Sequence, residues 1–411
     1  MRNFSGRGGR AAAVVLGGGV VGLAAARELA RRGLGVTLVE RGRLGSESSW
    51  AAAGMLAPQV EANRRDPFFD FASQSLDAYP AFAAALLEET GLDIELDCAG
   101  TLYPAFTDED ERECEHRFAW QRAAGLPVER LSAAEARTHE PALSPRVRGA
   151  LRFPRAWQVE NRKLCEALRR ACLTLGVEIR EQTEARAVRV EQARVTGVET
   201  SGGVMPADAV VIACGAWSSL LPIRDAADGS ESSNREGGRS AAGGVRAPGG
   251  AAAVPRIEPV RGQIVCFAPT DEPLLRHVVY SPRGYLVPRR DGRLLAGTTT
   301  ERVGFDKSVT DAGRRLILSY AEEIAPALAR LAPAEHWAGL RPHAAADDLP
   351  VIGEDAEIER LFFATGHYRN GILLAPLTGA LVAEAVASGV PHPALAPFSP
   401  ARPTRAAAGA V

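Results

Sequence analysis

The 411 residues predict a two-domain α/β protein, and three observations carry that expectation. A strand, a glycine cluster, a helix and a second strand follow one another within the first forty residues. Helical patterns then fill residues 67–140 around one strand-like segment. After residue 260 come short apolar segments spaced as an antiparallel sheet would need.

Taken in order, Ala11 to Leu16 is a short apolar run ending in glycines, which suits a buried parallel strand. Val20 to Arg32 is an Ala-rich helix stopped by Gly33, and Gly35 to Val39 is a second, β-branched strand closed by Glu40. Helices are expected at Pro67 to Thr90 and Asp108 to Gly125, with a strand at Gly100 to Pro104 between them. Asn161 to Gly176 reads as an amphipathic helix and Val177 to Arg180 as a strand. A hairpin at Ala187 to Thr200 turns near Glu191 to Arg194, and Ala209 to Ala213 is a further apolar strand. Arg261 to Ala268, Gly284 to Pro288 and Arg293 to Thr300 form the later strands. Leu316 to Leu331 is helical, Leu361 to Ala364 is a strand, and Gly371 to Ser388 is the last helix.

Composition narrows the function classes. Hydrophobic residues make up 46% and charged residues 24%, which excludes wholesale disorder. A net charge of -2 leaves no electrostatic footprint for nucleic acid. The six cysteines show no CxxC and the seven histidines are scattered, which reads as a cytoplasmic protein with reduced thiols and no metal site. Arg2, Arg7 and Arg10 before an uncharged stretch imitate a signal peptide, but Gly17, Gly18, Gly19 and Gly22 interrupt that stretch at spacings another motif explains. No other apolar run approaches the roughly 20 residues of a membrane span, so no membrane partner is expected. Residues 225–253 are different: 20 of these 29 are Gly, Ala, Ser or Pro. They bury too little apolar surface to offset their ordering entropy, and a disordered insertion is expected there. Residues 1–10 and 393–411 read as flexible tails.

Gly17-Gly18-Gly19-Val20-Val21-Gly22 is a G-x-G-x-x-G between strand and helix, the mark of a Rossmann-like dinucleotide domain. Gly17 allows the tight turn, Gly19 lets the backbone approach a pyrophosphate, and Gly22 brings helix against strand. The helix N-terminus offers N–H groups and a positive dipole end to the phosphates. Glu40, 18 residues after Gly22, ends the next strand, where a carboxylate accepts from ribose hydroxyls. This unit alone leaves NAD and FAD both open.

Four further segments stand downstream: Ser48-Ser49-Trp50-Ala51-Ala52-Ala53-Gly54-Met55-Leu56, Pro259-Val260-Arg261-Gly262-Gln263, Trp337-Ala338-Gly339-Leu340-Arg341-Pro342, and Gly366-His367-Tyr368-Arg369-Asn370-Gly371-Ile372-Leu373-Leu374-Ala375-Pro376. With the N-terminal unit, they resemble the FAD-dependent D-amino-acid oxidase superfamily, and most closely its glycine oxidase branch of thiamine biosynthesis. The resemblance runs from about Ala11 to Ser388, leaving out residues 225–253. It implies FAD contacts from Val20, Val21, Glu40, Arg41, Ser48, Ser49, Ala53, Gly54 and Met55, and from His367, Tyr368, Arg369, Asn370, Gly371, Ile372 and Leu373. Ala185 falls where the family commonly has a Val whose backbone touches the adenine side. The helix starting near Gly371 can aim N–H groups at the flavin C2 carbonyl, stabilising the negative charge of the reduced ring. No Cys follows Cys266, so the C-terminal motif has no candidate for a flavin thioether and the FAD is expected to be non-covalent.

For the substrate, Arg341 matches the family's carboxylate-binding Arg, whose planar fork suits bidentate pairing. Arg369 matches a second Arg at the substrate, and Tyr285 the Tyr that supports the carboxylate. The implied reaction takes glycine and O2 to the imine and H2O2, with a D-amino-acid or sarcosine-type oxidase, or a quinone-linked amino-acid dehydrogenase of the same superfamily, as the alternatives. No side chain need act as base if the amine arrives unprotonated. Arg283 stands where some relatives carry His and Thr300 where some carry Met, so an acidic or more polar substrate is a further expectation. The resemblance implies a discontinuous FAD domain (11–66, 145–224 and 332–392) with a parallel sheet between helices. A substrate domain (67–144 and 254–331) would cover the flavin with an antiparallel sheet. It also suggests a homotetramer.

Overall fold

The computed structural model describes residues 12–225 and 254–403. The N-terminal eleven residues, all of the expected insertion except Asp225, and the final eight residues lie outside the described residues.

A six-stranded sheet carries the nucleotide-binding half. Its order is Val351–Glu354, Leu361–Thr365, Ala209–Ile212, Ala12–Leu16, Gly35–Val39, Glu178–Arg180. Every neighbouring pair is parallel except the edge pair Val351–Glu354 and Leu361–Thr365. The strand Ala12–Leu16 is apolar throughout because both of its faces are covered. Ala13 and Val15 pack among the helices, while Val14 and Leu16 pack on the opposite side. On the first side lie the helices Val20–Arg31, Pro67–Thr90, Asn161–Thr174 and Gly371–Ser388. The last of these is long and apolar enough to cross a membrane, but 67% of it is buried. It passes so near Val20–Arg31 that a Cβ on Gly379 would lie 2.8 Å from the Ala24 backbone. Its apolarity is that of a core helix. The opposite side is covered by a four-stranded sheet, in which Gly203–Pro206 and Ile223–Asp225 flank the expected hairpin Ala185–Glu191 and Arg194–Thr200.

An eight-stranded sheet forms the other half, in the order Pro333–Ala344, Ile257–Phe267, Leu294–Gly297, Tyr285–Pro288, Val278–Tyr280, Thr101–Ala105, Gly149–Phe153, Glu129–Ser132. The sheet departs from the purely antiparallel expectation at one pair, since Val278–Tyr280 runs parallel to Thr101–Ala105. Alternation along Ile257–Phe267 divides its side chains. Val265 and Phe267 meet the helix Asp311–Ile324, while Ile264 and Cys266 face Ala51 and Ala53 of the nucleotide half.

Three expectations are corrected here. The segments Gly149–Phe153 and Pro333–Ala344, placed by the sequence on the FAD side of breaks at 145 and 332, pair into the eight-stranded sheet. The reason is a ladder invisible to local pattern: Ile257–Phe267 runs beside Pro333–Ala344 from Ile257 opposite Ala344 to Phe267 opposite Pro333. The helix expected at 316–331 starts earlier, at Asp311, because Thr310 caps it by accepting from Gly313 N at 3.0 Å. The tail expected from residue 393 is packed at its start. Pro393–Phe398 forms a 3-10 turn whose Phe398 is fully buried against Phe68 and Phe71. Burying that one ring is worth roughly 2 kcal/mol, which the Pro/Ala-rich composition around it conceals.

Candidate active site

A cavity of about 330 Å³ lies between the two large sheets. Its nucleotide side starts at the turn after Ala12–Leu16. Gly17 has φ +102°, and a Cβ there would stand 2.4 Å from the Ala213 carbonyl. A Cβ on Gly22 would stand 1.9 Å from the Gly17 carbonyl, so Gly22 seats the helix on the turn and does not line the cavity. The helix Val20–Arg31 opens without a side-chain cap or an acidic residue in its first turn. Val20 N donates to Ser49 Oγ at 3.0 Å, which leaves the Val21 and Gly22 N–H groups with no acceptor in their own helix. Glu40 is held by two backbone donors, Gly18 N to Oε2 and Gly42 N to Oε1, each at 2.8 Å. Arg41 lies over the Trp217 ring at 4.0 Å, and both line the cavity with Ala185.

The middle of the cavity is walled by Ser48, Ser49, Ala53, Gly54 and Met55 on one side. The Ser48 hydroxyl donates to the Leu340 carbonyl, which ties this segment to the strand bearing Arg341. Gly54 has φ +69°, and a Cβ there would come within 2.1 Å of the Val159 carbonyl. Ala53 accepts from Arg289 Nη2 at 2.9 Å, so the small-residue backbone is fixed from behind. Across from it, His367, Tyr368, Arg369, Asn370, Gly371 and Ile372 line the cavity, while Leu373 is buried in the core. The helix Gly371–Ser388 also starts uncapped and without a first-turn acid. His367 meets Thr378 Oγ1 through Nε2 at 3.2 Å. Burial pushes its imidazole down to about 3, so the ring stays neutral. Cys214 also lines the cavity, but burial raises its thiol to about 12 and keeps it a poor nucleophile.

The substrate side is built from four separate segments. Arg341 lies across Gly262, where a Cβ would fall 2.1 Å from its guanidinium. Arg341 Nη1 donates to the carbonyls of Arg261 (3.3 Å) and Thr299 (3.1 Å), and Nη2 to Thr298 Oγ1 at 2.7 Å. All three acceptors are neutral. Three buried arginines elsewhere in the fold have carboxylate partners: Arg27 with Glu89, Arg261 with Glu301 and Asp306, Arg289 with Glu160. Among the described residues Arg341 has none, and burial lowers its proton affinity accordingly. Tyr285 sits against Gly297, where a Cβ would approach its ring to 2.6 Å, and burial raises its phenol, which stays neutral. Arg369 Nη2 donates to Thr300 Oγ1 at 2.9 Å, so Thr300 reaches the site through that arginine. A guanidinium without an ion-pair partner, beside a buried phenol and facing a cavity, has the chemistry to bind a carboxylate.

Arg283 is elsewhere. It pairs with Asp110 at 2.9 Å and Glu323 at 2.8 Å and is not among the lining residues, which removes the basis for an acidic-substrate preference. Sequence reasoning missed Trp217, Thr298, Gly262 as the seat of Arg341, Tyr280 and Glu61. Gly262 lies within one of the quoted segments, but nothing beside it marks it as the seat of a distant arginine. Glu61 and Tyr280 carry no motif signal at all.

Residues 12–385 match the family described as FAD dependent oxidoreductase. The chain is 36% identical to a glycine oxidase of Pseudomonas aeruginosa over 94% of its own length and 98% of the relative's. It is 34% identical to a Synechocystis protein described as bifunctional ThiO/ThiG, covering 95% of this chain and 53% of that one. The crystal structure of glycine oxidase from Geobacillus kaustophilus superposes with a TM-score of 0.83 at 34% identity, covering 96% of this chain and 99% of that one. The cavity fits the FAD that this family uses. It offers a glycine turn that no side chain could enter, two uncapped helix N-termini and a backbone wall narrowed to Ala and Gly.

Proposed function

The chain belongs to the FAD-dependent oxidoreductase family of D-amino-acid oxidase, and from that premise we propose that it oxidises glycine. The products are the imine and H2O2 from O2, the imine hydrolysing to glyoxylate or feeding thiazole formation for thiamine. The observation that carries the substrate class is Arg341, a half-buried guanidinium bonded only to neutral oxygens beside Tyr285. The choice of glycine is supported by the glycine oxidases and ThiO/ThiG proteins that the chain resembles along most of its length.

In this reading the Val21 N–H, beside the backbone of Gly17 and Gly19, would bind the pyrophosphate, and Glu40 with Arg41 the adenosine end. Ala53, Gly54 and Met55 would lie along the flavin, with Ser48, Ser49 and the segment His367 to Ile372 around it and Ala185 near the adenine. The first N–H groups of the helix Gly371–Ser388 stabilise charge that develops on the ring. Bound FAD supplies the two-electron oxidation. Arg341 and Tyr285 hold the carboxylate, Arg369 closes over it, and the eight-stranded sheet keeps water from the Cα–H. The FAD is non-covalent, a reading supported by the neutral Cys214 thiol. A homotetramer in the cytoplasm completes the reading. It is supported by the family resemblance for the former and, for the latter, by six free cysteines.

The test is the visible spectrum of the purified protein, recorded anaerobically before and after glycine and again in air. Bleaching by glycine and recovery with peroxide supports the proposal. A flavin that ignores glycine but bleaches with D-alanine or sarcosine would overturn the substrate and keep the chemistry.

A further inference from the structure

We propose that Glu61 is the proton acceptor for the substrate's ammonium group, an inference that rests on the amino-acid oxidase reading of the cavity. Four carboxylates line the cavity among the described residues. Glu40 is bound by Gly18 and Gly42, Glu47 pairs with Lys307 and Arg41, and Glu184 sits next to Ala185 in the chain. Glu61 is the one facing Arg341, Arg369 and Tyr285.

Its position is built. Glu61 ends the short helix Pro58–Glu61, whose backbone is pinned from below. Arg117 Nη1 donates to the carbonyls of Val60 (2.6 Å) and Ala62 (3.0 Å), and Gln59 Nε2 donates to Gln121 Oε1 at 3.0 Å. The carboxylate itself has a single weak donor, Asn370 Nδ2 at 3.5 Å. The groups facing it are Arg369 and Asn370 from the C-terminal motif, Arg341 and Tyr285 from the eight-stranded sheet, Tyr280 from its neighbouring strand, and Arg117 from below. Desolvation raises the proton affinity of Glu61, while the three arginines oppose that rise. A carboxylate that is half-buried in a cavity wall, thinly hydrogen-bonded and pinned in place is a better base than one in water.

The charge pattern says why the site needs one. Two guanidinium groups welcome the carboxylate of a zwitterion and repel its ammonium, so the bound amino acid is driven toward its anionic form. The ammonium N–H bond breaks with its electron pair left on nitrogen, and the proton forms an O–H bond on Glu61. The Cα–H then leaves as hydride to FAD while the nitrogen pair closes the C=N bond. Glycine loses two electrons and FAD gains them.

The experiment is anaerobic flavin reduction by glycine in the holoenzyme, followed from roughly pH 6 to 10. Wild type must first be reduced by glycine, since failure there overturns the oxidase reading and not this step. Wild type is then expected to show a plateau in the apparent second-order constant through neutral pH. Glu61→Gln can use only the anionic substrate, so its constant should climb about tenfold per pH unit toward the ammonium's own pKa. Glu61→Asp should restore the plateau in part. A Gln variant that retains flavin and merely lowers the curve without changing its shape would overturn the proposal. If the Gln variant does not hold FAD, wild type decides alone in dilute buffer with a pH indicator. No proton release before bleaching agrees with transfer to Glu61, and release of one proton to solvent contradicts it.

Discussion

The two sides of the cavity are built in opposite ways. The nucleotide side uses one contiguous stretch, Gly17 to Glu40, and works mainly through backbone: a turn, helix N–H groups and a carboxylate held by Gly18 and Gly42. The substrate side uses side chains from Pro58–Glu61, Tyr285–Pro288, Pro333–Ala344 and the C-terminal motif, segments that are separate in the chain. Backbone geometry depends on which residues lack a Cβ. Side-chain geometry depends on the sheet that carries them. The two sides should therefore fail separately, and for different reasons.

The largest effect is expected from Gly17→Val. With φ +102° and the Ala213 carbonyl 2.4 Å from any Cβ, the turn cannot form around a branched side chain. The variant should purify colourless or not fold, read by flavin absorbance and thermal melting. Arg341→Met comes next and should act on the other side alone. Loss of a bidentate, charge-assisted anchor worth about 3 to 4 kcal/mol lowers kcat/KM for glycine roughly 10² to 10³-fold. The flavin spectrum should be unchanged, and loss of FAD in this variant would break the separation of the two sides.

Smaller effects sharpen the contrast. Glu40→Gln weakens two backbone bonds at the nucleotide side and should raise the FAD Kd about tenfold, with kcat preserved at saturating FAD. Tyr285→Phe should raise KM for glycine by about threefold to tenfold with FAD affinity intact. The last effect, small near neutral pH, is a pH slope in stability. His367 is held neutral in the folded state down to about 3. The unfolded chain, titrating near about 6.5, then binds the extra proton as pH falls. Stability should drop from near pH 6.5 downward, and His367→Gln should flatten that part of the denaturation curve. An unchanged slope would place the acid sensitivity elsewhere.

Legibility in the sequence followed the same division. The glycine turn, its helix and Glu40 could be read because the chemistry and the residues that enforce it are neighbours in the chain. The helices Pro67–Thr90, Asn161–Thr174 and Gly371–Ser388 were readable for the same local reason. Arg341, Arg369 and Tyr285 were found only through resemblance to a family, since nothing in the residues beside them marks a binding role. Arg283 looked equally eligible, and the structure gives it to Asp110 and Glu323. Glu61, Trp217 and Thr298 escaped notice because each is an ordinary residue in its local context.

What the sequence by itself determined was therefore whatever a strand period, a helix stop or a missing Cβ can enforce within about 25 residues: the βαβ unit, its glycines and the order of elements. The tertiary structure alone decided that Pro333–Ala344 pairs with Ile257–Phe267, that Phe398 closes the core beside Phe68 and Phe71, and that Arg341 lies across Gly262 without a carboxylate partner among the described residues while Arg261 and Arg289 find theirs. Those outcomes depend on strand register and on which charges are left over once the sheets have packed. Both are properties of the whole assembled chain, because a one-residue slip in a ladder turns every side chain of the strand to the other face.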